Sequence, residues 1–176
     1  MLYVALLRGI NVGGKNKIDM KLLKQAFEEL GMSSVMTYIN SGNIIFANPN
    51  HSEEQLAERL EETIYSHFNL RIHLLIYSAE AFRKIAQAIP EQWTNDSQMK
   101  SDVLFLWQDV DHEAVLDRLT IHKEVDRVFY VPGAILWSVN KDKVSTSGMV
   151  KVAGTTLYRH VTVRNVNTVR KILMLL

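Results

Sequence analysis

Cysteine is absent from the 176 residues, which removes disulfides, zinc–thiolate sites, iron–sulfur clusters and cysteine nucleophiles. Small secreted domains often rely on disulfides, so this absence favours a cytoplasmic protein. Net charge is scarce too. Twenty basic and 19 acidic residues leave +1, which gives no bulk attraction to nucleic acid or to a membrane. No apolar run approaches the ~20 residues of a membrane-spanning helix. The opening run Leu2–Leu7 has no basic region before it and meets Arg8 at once, so no signal peptide is expected. The remainder, 47% hydrophobic and 22% charged residues, is ordinary globular composition rather than that of a disordered or collagen-like chain.

Periodicity supplies the elements. A strand is expected over Leu2–Leu7, then a Gly-rich loop, then a helix capped by Asp19 with Met20, Leu23, Phe27 and Leu30 on one face. Gly31 sits where a helix C-terminal glycine belongs. Val35–Ile39 and Ile44–Ala47 flank an Asn/Ser/Gly turn and read as a hairpin. Ser52 and Gln55 form a capping box for a second helix with Leu56, Leu60 and Ile64 inward. A strand over Arg71–Tyr77 comes next, then a helix capped by Ser78.

Pro90–Lys100 is polar and aperiodic and reads as a linker. Beyond it the order recurs: a strand at Asp102–Trp107, a helix at Asp111–Leu119, and a hairpin across Pro132-Gly133-Ala134. The Ser/Thr/Gly-rich stretch Ser145–Tyr158 stands where the second crossover helix belongs. Val161–Val163 is a strand, and Asn165 or Asn167 caps the last helix. The expected fold is therefore α+β: two ferredoxin-like βαββαβ subdomains (alpha-beta plaits) in tandem, residues 1–89 and 101–176 around a 90–100 linker, each with a trailing helix. Both faces of the first and fifth strands are apolar, so something covers the second face of each sheet, or it is an exposed partner surface.

The most unusual segment is Arg8-Gly9-Ile10-Asn11-Val12-Gly13-Gly14-Lys15-Asn16-Lys17. Glycines let backbone amides approach a ligand, and Lys15 and Lys17 bring positive charge. Gly9 to Lys15 has the spacing of a phosphate-binding loop. Asn16, however, replaces the magnesium-holding Ser/Thr, and the helix begins about four residues too late. Anion binding without hydrolysis is the stronger expectation. The junction Arg164–Lys171 offers a helix start beside Arg164 and Arg170, and Arg8/Asn11 and Arg164/Asn167 share an R-x-x-N spacing just past a strand. Ser41-Gly42-Asn43 marks a hairpin tip. Ser147 and Lys151 stand four apart, too little to name a nucleophile pair. His51, His67, His73, His112, His122 and His160 are scattered without metal-ligand spacing, so no metal site is expected. Tyr3 only loosely matches an RNA-binding strand motif, and the third strand lacks its basic and aromatic residues.

Ala5–Asn16, Thr37–Asn43 and Arg164–Lys171 together resemble the DUF1697 family of bacterial proteins of unknown function. The resemblance implies two ferredoxin-like subdomains and marks the first loop, the hairpin tip and the last strand–helix junction as the family's recurring segments. It brings no catalytic residues and no cofactor. This chain has Val166 where family members often carry Trp. The combined expectation is a protein that binds a phosphate-bearing or other anionic small ligand through Arg8, Asn11, Gly13, Gly14, Lys15, Ser41, Asn43, Arg164, Asn165 and Asn167. The rival expectations are a small-molecule enzyme with a site between the halves, and a non-enzymatic protein-interaction module.

Overall fold

A computed structural model describes residues 1–48 and 50–176. It is a mixed α+β structure with two four-stranded antiparallel sheets. The chain divides into two compact units, Met1–Phe82 with Leu176, and Arg83–Leu175. No helix among the described residues is long and apolar enough to cross a membrane.

The first unit runs β1 (Leu2–Leu7), α1 (Met20–Glu29), β2 (Ser33–Tyr38), β3 (Asn43–Ala47), α2 (Glu53–Phe68) and β4 (Leu74–Ser78), with α3 (Ala79–Ala88) spanning the division. Its sheet has the order β2-β3-β1-β4, with Val4 opposite both Ile45 and Tyr77. The helix signals act as their chemistry dictates. The Asp19 carboxylate takes the Lys21 and Leu22 amides, and Ser52 and Gln55 form a reciprocal capping box. Leu23 and Phe27 of α1 and Leu56, Leu60 and Ile64 of α2 then pack on Tyr3, Ala5, Leu7 and Phe46. Phe46 meets Tyr3 face-on and Phe27 edge-on, both at 5.6 Å, which adds aromatic pairing to the burial.

The second unit contains β5 (Met99–Leu106), β6 (Arg127–Val131), β7 (Ala134–Asn140), β8 (Val161–Asn165) and α4 (Val166–Leu175), in the order β6-β7-β5-β8. Its crossovers differ from the sequence expectation. The helix expected at Asp111–Leu119 is two 3₁₀ segments, Gln108–Val110 and Glu113–Arg118. Asp111 is drawn out of any helix because its carboxylate accepts from the Gly133 amide and the Tyr130 hydroxyl. The stretch expected as the second crossover helix is three more 3₁₀ segments, Lys141–Thr146, Gly148–Gly154 and Thr156–His160. Here Thr146 and Thr155 donate to the carbonyls three residues back and Ser147 accepts the Met149 amide. Such local bonds compete with an α-helix, and two glycines weaken it further.

What organises this unit is Asp126, 6% exposed. Its carboxylate accepts from Trp137 Nε1 at 3.0 Å, from the Ser147 hydroxyl, and from the His122 and Gly148 amides at 2.9 and 3.0 Å. Ser147 is thus a buried structural donor to Asp126 rather than a nucleophile activated by Lys151. Burial alone would raise the Asp126 carboxyl, but the four donations outweigh it and hold it below the usual carboxylate range. A folded-state value lowered from the unfolded ~3.9 contributes stability that is complete above about pH 4 and lost as pH falls through the folded value. Asp126→Asn is therefore expected to flatten the acid limb of stability below about pH 4, read as urea midpoints across the acid range. An unchanged acid limb would place the acid sensitivity elsewhere.

Val4, Leu6, Ile45, Val103, Phe105 and Leu136 of the central strands are at most 4% exposed. The stretch expected as a linker is pinned within the second unit. Arg170 donates to the Trp93 and Pro90 carbonyls, Asn167 Nδ2 to the Asn95 carbonyl, and Trp93 stacks on Phe129 at 5.6 Å.

Candidate functional site

The Gly-rich loop leaves β1 already tied to its neighbours. The Leu7 amide donates to the Gly42 carbonyl and the Arg8 amide to the His73 carbonyl, each at 2.9 Å. Ile10 is fully buried and anchors the base of the loop. Residues 11–16 then form a miniature hairpin. The Asn11 amide bonds to the Asn16 carbonyl, the Lys15 amide to the Val12 carbonyl, and Gly13 and Gly14 sit at its tip with φ of 57° and 74°. Two successive left-handed residues make the mirror-image tight turn that glycine accepts without strain. Asn11 and Asn16 also take positive φ, which asparagine tolerates better than most residues.

Side-chain amides lock this hairpin. Asn16 Nδ2 donates to the Gly9 carbonyl at 2.9 Å. Asn11 does more: its Nδ2 donates to the Ile18 and Asn40 carbonyls at 3.1 and 2.8 Å, and its Oδ1 accepts the Ile18 amide. Asn11 therefore joins the loop, the entry to α1 and the β2–β3 turn. The second motif closes from the other side. Asn43, 1% exposed, donates to the Tyr38 carbonyl at 3.1 Å and to Ser41 Oγ at 3.0 Å. The first loop and the hairpin tip, separate in the sequence, are thus one assembly.

Beside that assembly lies an open cleft of about 700 Å³ whose walls include Asn11, Gly14, Lys17, Met20, Lys21 and Asn40. Asp19 also lines it, but its carboxylate is engaged by the Lys21 and Leu22 amides at 2.7 and 3.2 Å. The first amides of α1 are therefore already capped, and the positive field comes from the side chains of Lys17 and Lys21. Both are exposed, and among the described residues neither forms an ion pair. An exposed ammonium at the rim of a cleft can meet a phosphate without first breaking an internal salt bridge.

Of the residues singled out from the sequence, Asn11 and Gly14 line the cleft, and Ser41 and Asn43 build the turn that carries Asn40. Arg8, Gly13 and Lys15 belong to the same loop but are not among the lining residues. The phosphate-loop geometry is absent here: the Lys15 amide closes a turn, and α1 starts only at Met20. Arg164, Asn165 and Asn167 belong to the second unit. Arg164 is 7% exposed and donates to Thr162 Oγ1 and the Val163 carbonyl. Burial pushes its guanidinium down to about 10, which leaves it charged at neutral pH. Asn165 caps α4 by accepting the Thr168 amide, so the choice between the two asparagines resolves to Asn165. Among the described residues no group of three His, Asp or Glu side chains could hold a metal ion.

Sequence reasoning misses Met20, Lys21 and Asn40 as cleft residues. A usable signal is present for one of them, because Lys17 and Lys21 stand four apart astride a helix cap. A second cavity, about 280 Å³, lies among Glu58, Glu61, Glu62, Arg71 and His73. Its charges serve the fold: Glu61 takes the Leu74 amide, and Arg71 pairs with Glu62 and lies 3.5 Å over the Tyr65 ring.

Comparison with known proteins agrees with the motifs. A family model described as a protein of unknown function (DUF1697) matches residues 1–137. Its match includes the first loop and the hairpin tip and ends before Arg164–Lys171. A solved structure of the conserved bacterial protein SP0830 from Streptococcus pneumoniae is similar over 98% of this chain and 97% of its own, with 32% identity and a TM-score of 0.84. No curated protein matches.

Proposed function

This chain belongs to the DUF1697 family, whose description assigns no activity, and from that premise we propose that it binds a phosphate-bearing or other anionic small ligand in the cleft beside α1. The observation that carries the proposal is the 700 Å³ cleft with Lys17 and Lys21 on its walls and its carboxylate, Asp19, occupied by the α1 amides. Three further features support it. The volume falls in the range of small-molecule sites, about 300–1,000 Å³. The walls are held by the Asn11 and Asn43 bonds, so little ordering is needed on binding. The flap Val12–Lys15 adds a third exposed lysine within the same loop. Asn11 is then a positioning residue, since its amide hydrogens are committed to Ile18 and Asn40.

The scaffold belongs to the same proposal. In the first unit the order β-α-β-β-α-β with strands β2-β3-β1-β4 supports a ferredoxin-like subdomain. The strand order β6-β7-β5-β8 supports a second, with 3₁₀ segments in place of its crossover helices.

A thermal-shift screen with inorganic phosphate, pyrophosphate and nucleoside monophosphates tests the proposal. At 100 times its dissociation constant a ligand adds about 2.7 kcal/mol, worth roughly 5–10 °C for a chain of this length. The Lys17→Ala/Lys21→Ala variant is expected to lose most of that shift. A full shift in the variant, or none in the wild type, would overturn the site.

A further inference from the structure

The wall of the cleft carries one group that a bare anion cannot use. Asp19 lines it, and the two bonds that cap α1, from the Lys21 amide at 2.7 Å and the Leu22 amide at 3.2 Å, end on the same oxygen, Oδ1. Among the described residues Asp19 Oδ2 takes no hydrogen bond and the carboxylate forms no ion pair. Capping does not require that second oxygen, because serine caps a helix about as well with one. For a bare phosphate the open oxygen is unfavourable, since like charges repel. It favours a ligand that brings hydrogen-bond donors beside its phosphate.

The rest of the lining supports such a ligand. Asn40 has its backbone carbonyl fixed by Asn11 Nδ2 at 2.8 Å, while its exposed carboxamide makes no hydrogen bond among the described residues. A carboxamide offers both donors and an acceptor. The wholly apolar side chains of the lining are Ile18, only 5% exposed, and the half-buried Met20. No aromatic residue lines the cleft, so a flat base gains no stacking partner there. Selection among ligand bodies therefore falls to polar groups.

We infer that the ligand is a hydroxylated phosphate monoester, the chemistry of a sugar or polyol phosphate, its phosphate on Lys17 and Lys21 and a hydroxyl donating to Asp19 Oδ2. This rests on the anion-binding function proposed above and narrows its ligand class. The Asn40 carboxamide takes a second hydroxyl. Asp19 is then a specificity-determining residue with a separate task for each oxygen: Oδ1 holds the start of α1, and Oδ2 selects the ligand.

Calorimetric titration of glycerol 3-phosphate and propyl phosphate into the wild type and Asp19→Ser tests it. The two esters share the phosphate and the three-carbon chain and differ only in hydroxyls. The wild type is expected to bind glycerol 3-phosphate about tenfold more tightly, the worth of one hydrogen bond to a charged group. Serine keeps one oxygen for the α1 amides and has nothing in place of Oδ2. Asp19→Ser is therefore expected to hold its melting midpoint within about 2–4 °C and to lose the preference. It is also expected to bind propyl phosphate at least as tightly as the wild type, because a negative charge has gone. A role in capping alone would leave the preference intact. Equal binding of the two esters by the wild type, or an undiminished preference in Asp19→Ser, would overturn the inference and leave the anion site standing. Binding of neither ester would overturn both.

Discussion

Gly148→Ala is expected to destabilise the second unit by on the order of 4 kcal/mol, among the largest effects of a single methyl group in this chain. A Cβ at position 148 would stand 1.6 Å from the Thr120 carbonyl oxygen and 2.6 Å from its carbon. Both are backbone atoms, so the clash cannot be relieved by turning a side chain. The close approach exists because Asp126 gathers both segments, accepting the Gly148 amide and the His122 amide on the same carboxylate oxygen. Moving either segment away would strip buried donors from Asp126, each at about 1–3 kcal/mol. Gly154→Ala is the internal control. Nothing lies within 4 Å of its added Cβ, and it is expected to be neutral or mildly stabilising by under ~1 kcal/mol. Urea midpoints of the two variants give the comparison. Equal midpoints would mean that the 120–126 and 147–148 segments are not locked together.

The second large effect is expected at Gly42. Its φ of +85° is itself unfavourable for alanine, and an added Cβ would lie 2.7 Å from Leu7 Cβ and 2.9 Å from Ile10 Cδ1. Strain of about 1–2 kcal/mol and overpacking of about 1–3 kcal/mol give a loss of roughly 2–5 kcal/mol. Unlike Gly148, this position also bears on function. Leu7 and Ile10 set the base of the Gly-rich loop, and Ile10 precedes the Asn11 clamp. Displacing them moves Asn11 relative to Asn40 and with it the cleft wall. Gly42→Ala is therefore expected to lower the urea midpoint and, where the fold survives, to blunt the thermal response to phosphate. A stable variant with full phosphate response would separate the hairpin tip from the cleft.

The first unit is legible in the sequence because its signals are local. Asp19 before Met20 and the Ser52/Gln55 box act within three residues of themselves, and the stripes at Leu23/Phe27 and Leu56/Leu60 need only the helical period. The crossovers of the second unit are not legible because distant carboxylates organise them: Asp111 reaches Tyr130 and Gly133 across 19 and 22 residues, and Asp126 reaches Ser147 and Gly148 across 21 and 22. Against that hub, the Ser, Thr and Gly residues of the 145–158 stretch settle into 3₁₀ segments. The candidate site shows the same divide. The loop and its lysines stand out in the sequence, but Asn11 reads there as a ligand donor. Its role as a clamp depends on Asn40, 29 residues away. Lys21 escapes notice because it reads as the first turn of a helix rather than as the end of the loop.

Whether an anion binds beside α1 is tested most directly by a ¹H–¹⁵N correlation titration of the uniformly labelled chain with pyrophosphate. Saturable shifts are expected at the amides of Gly14, Lys17, Lys21 and Asn40, with Arg164, Asn165 and Asn167 unmoved. Saturable shifts confined to Arg164–Lys171, or none at the α1 cleft up to millimolar pyrophosphate, would contradict the anion site.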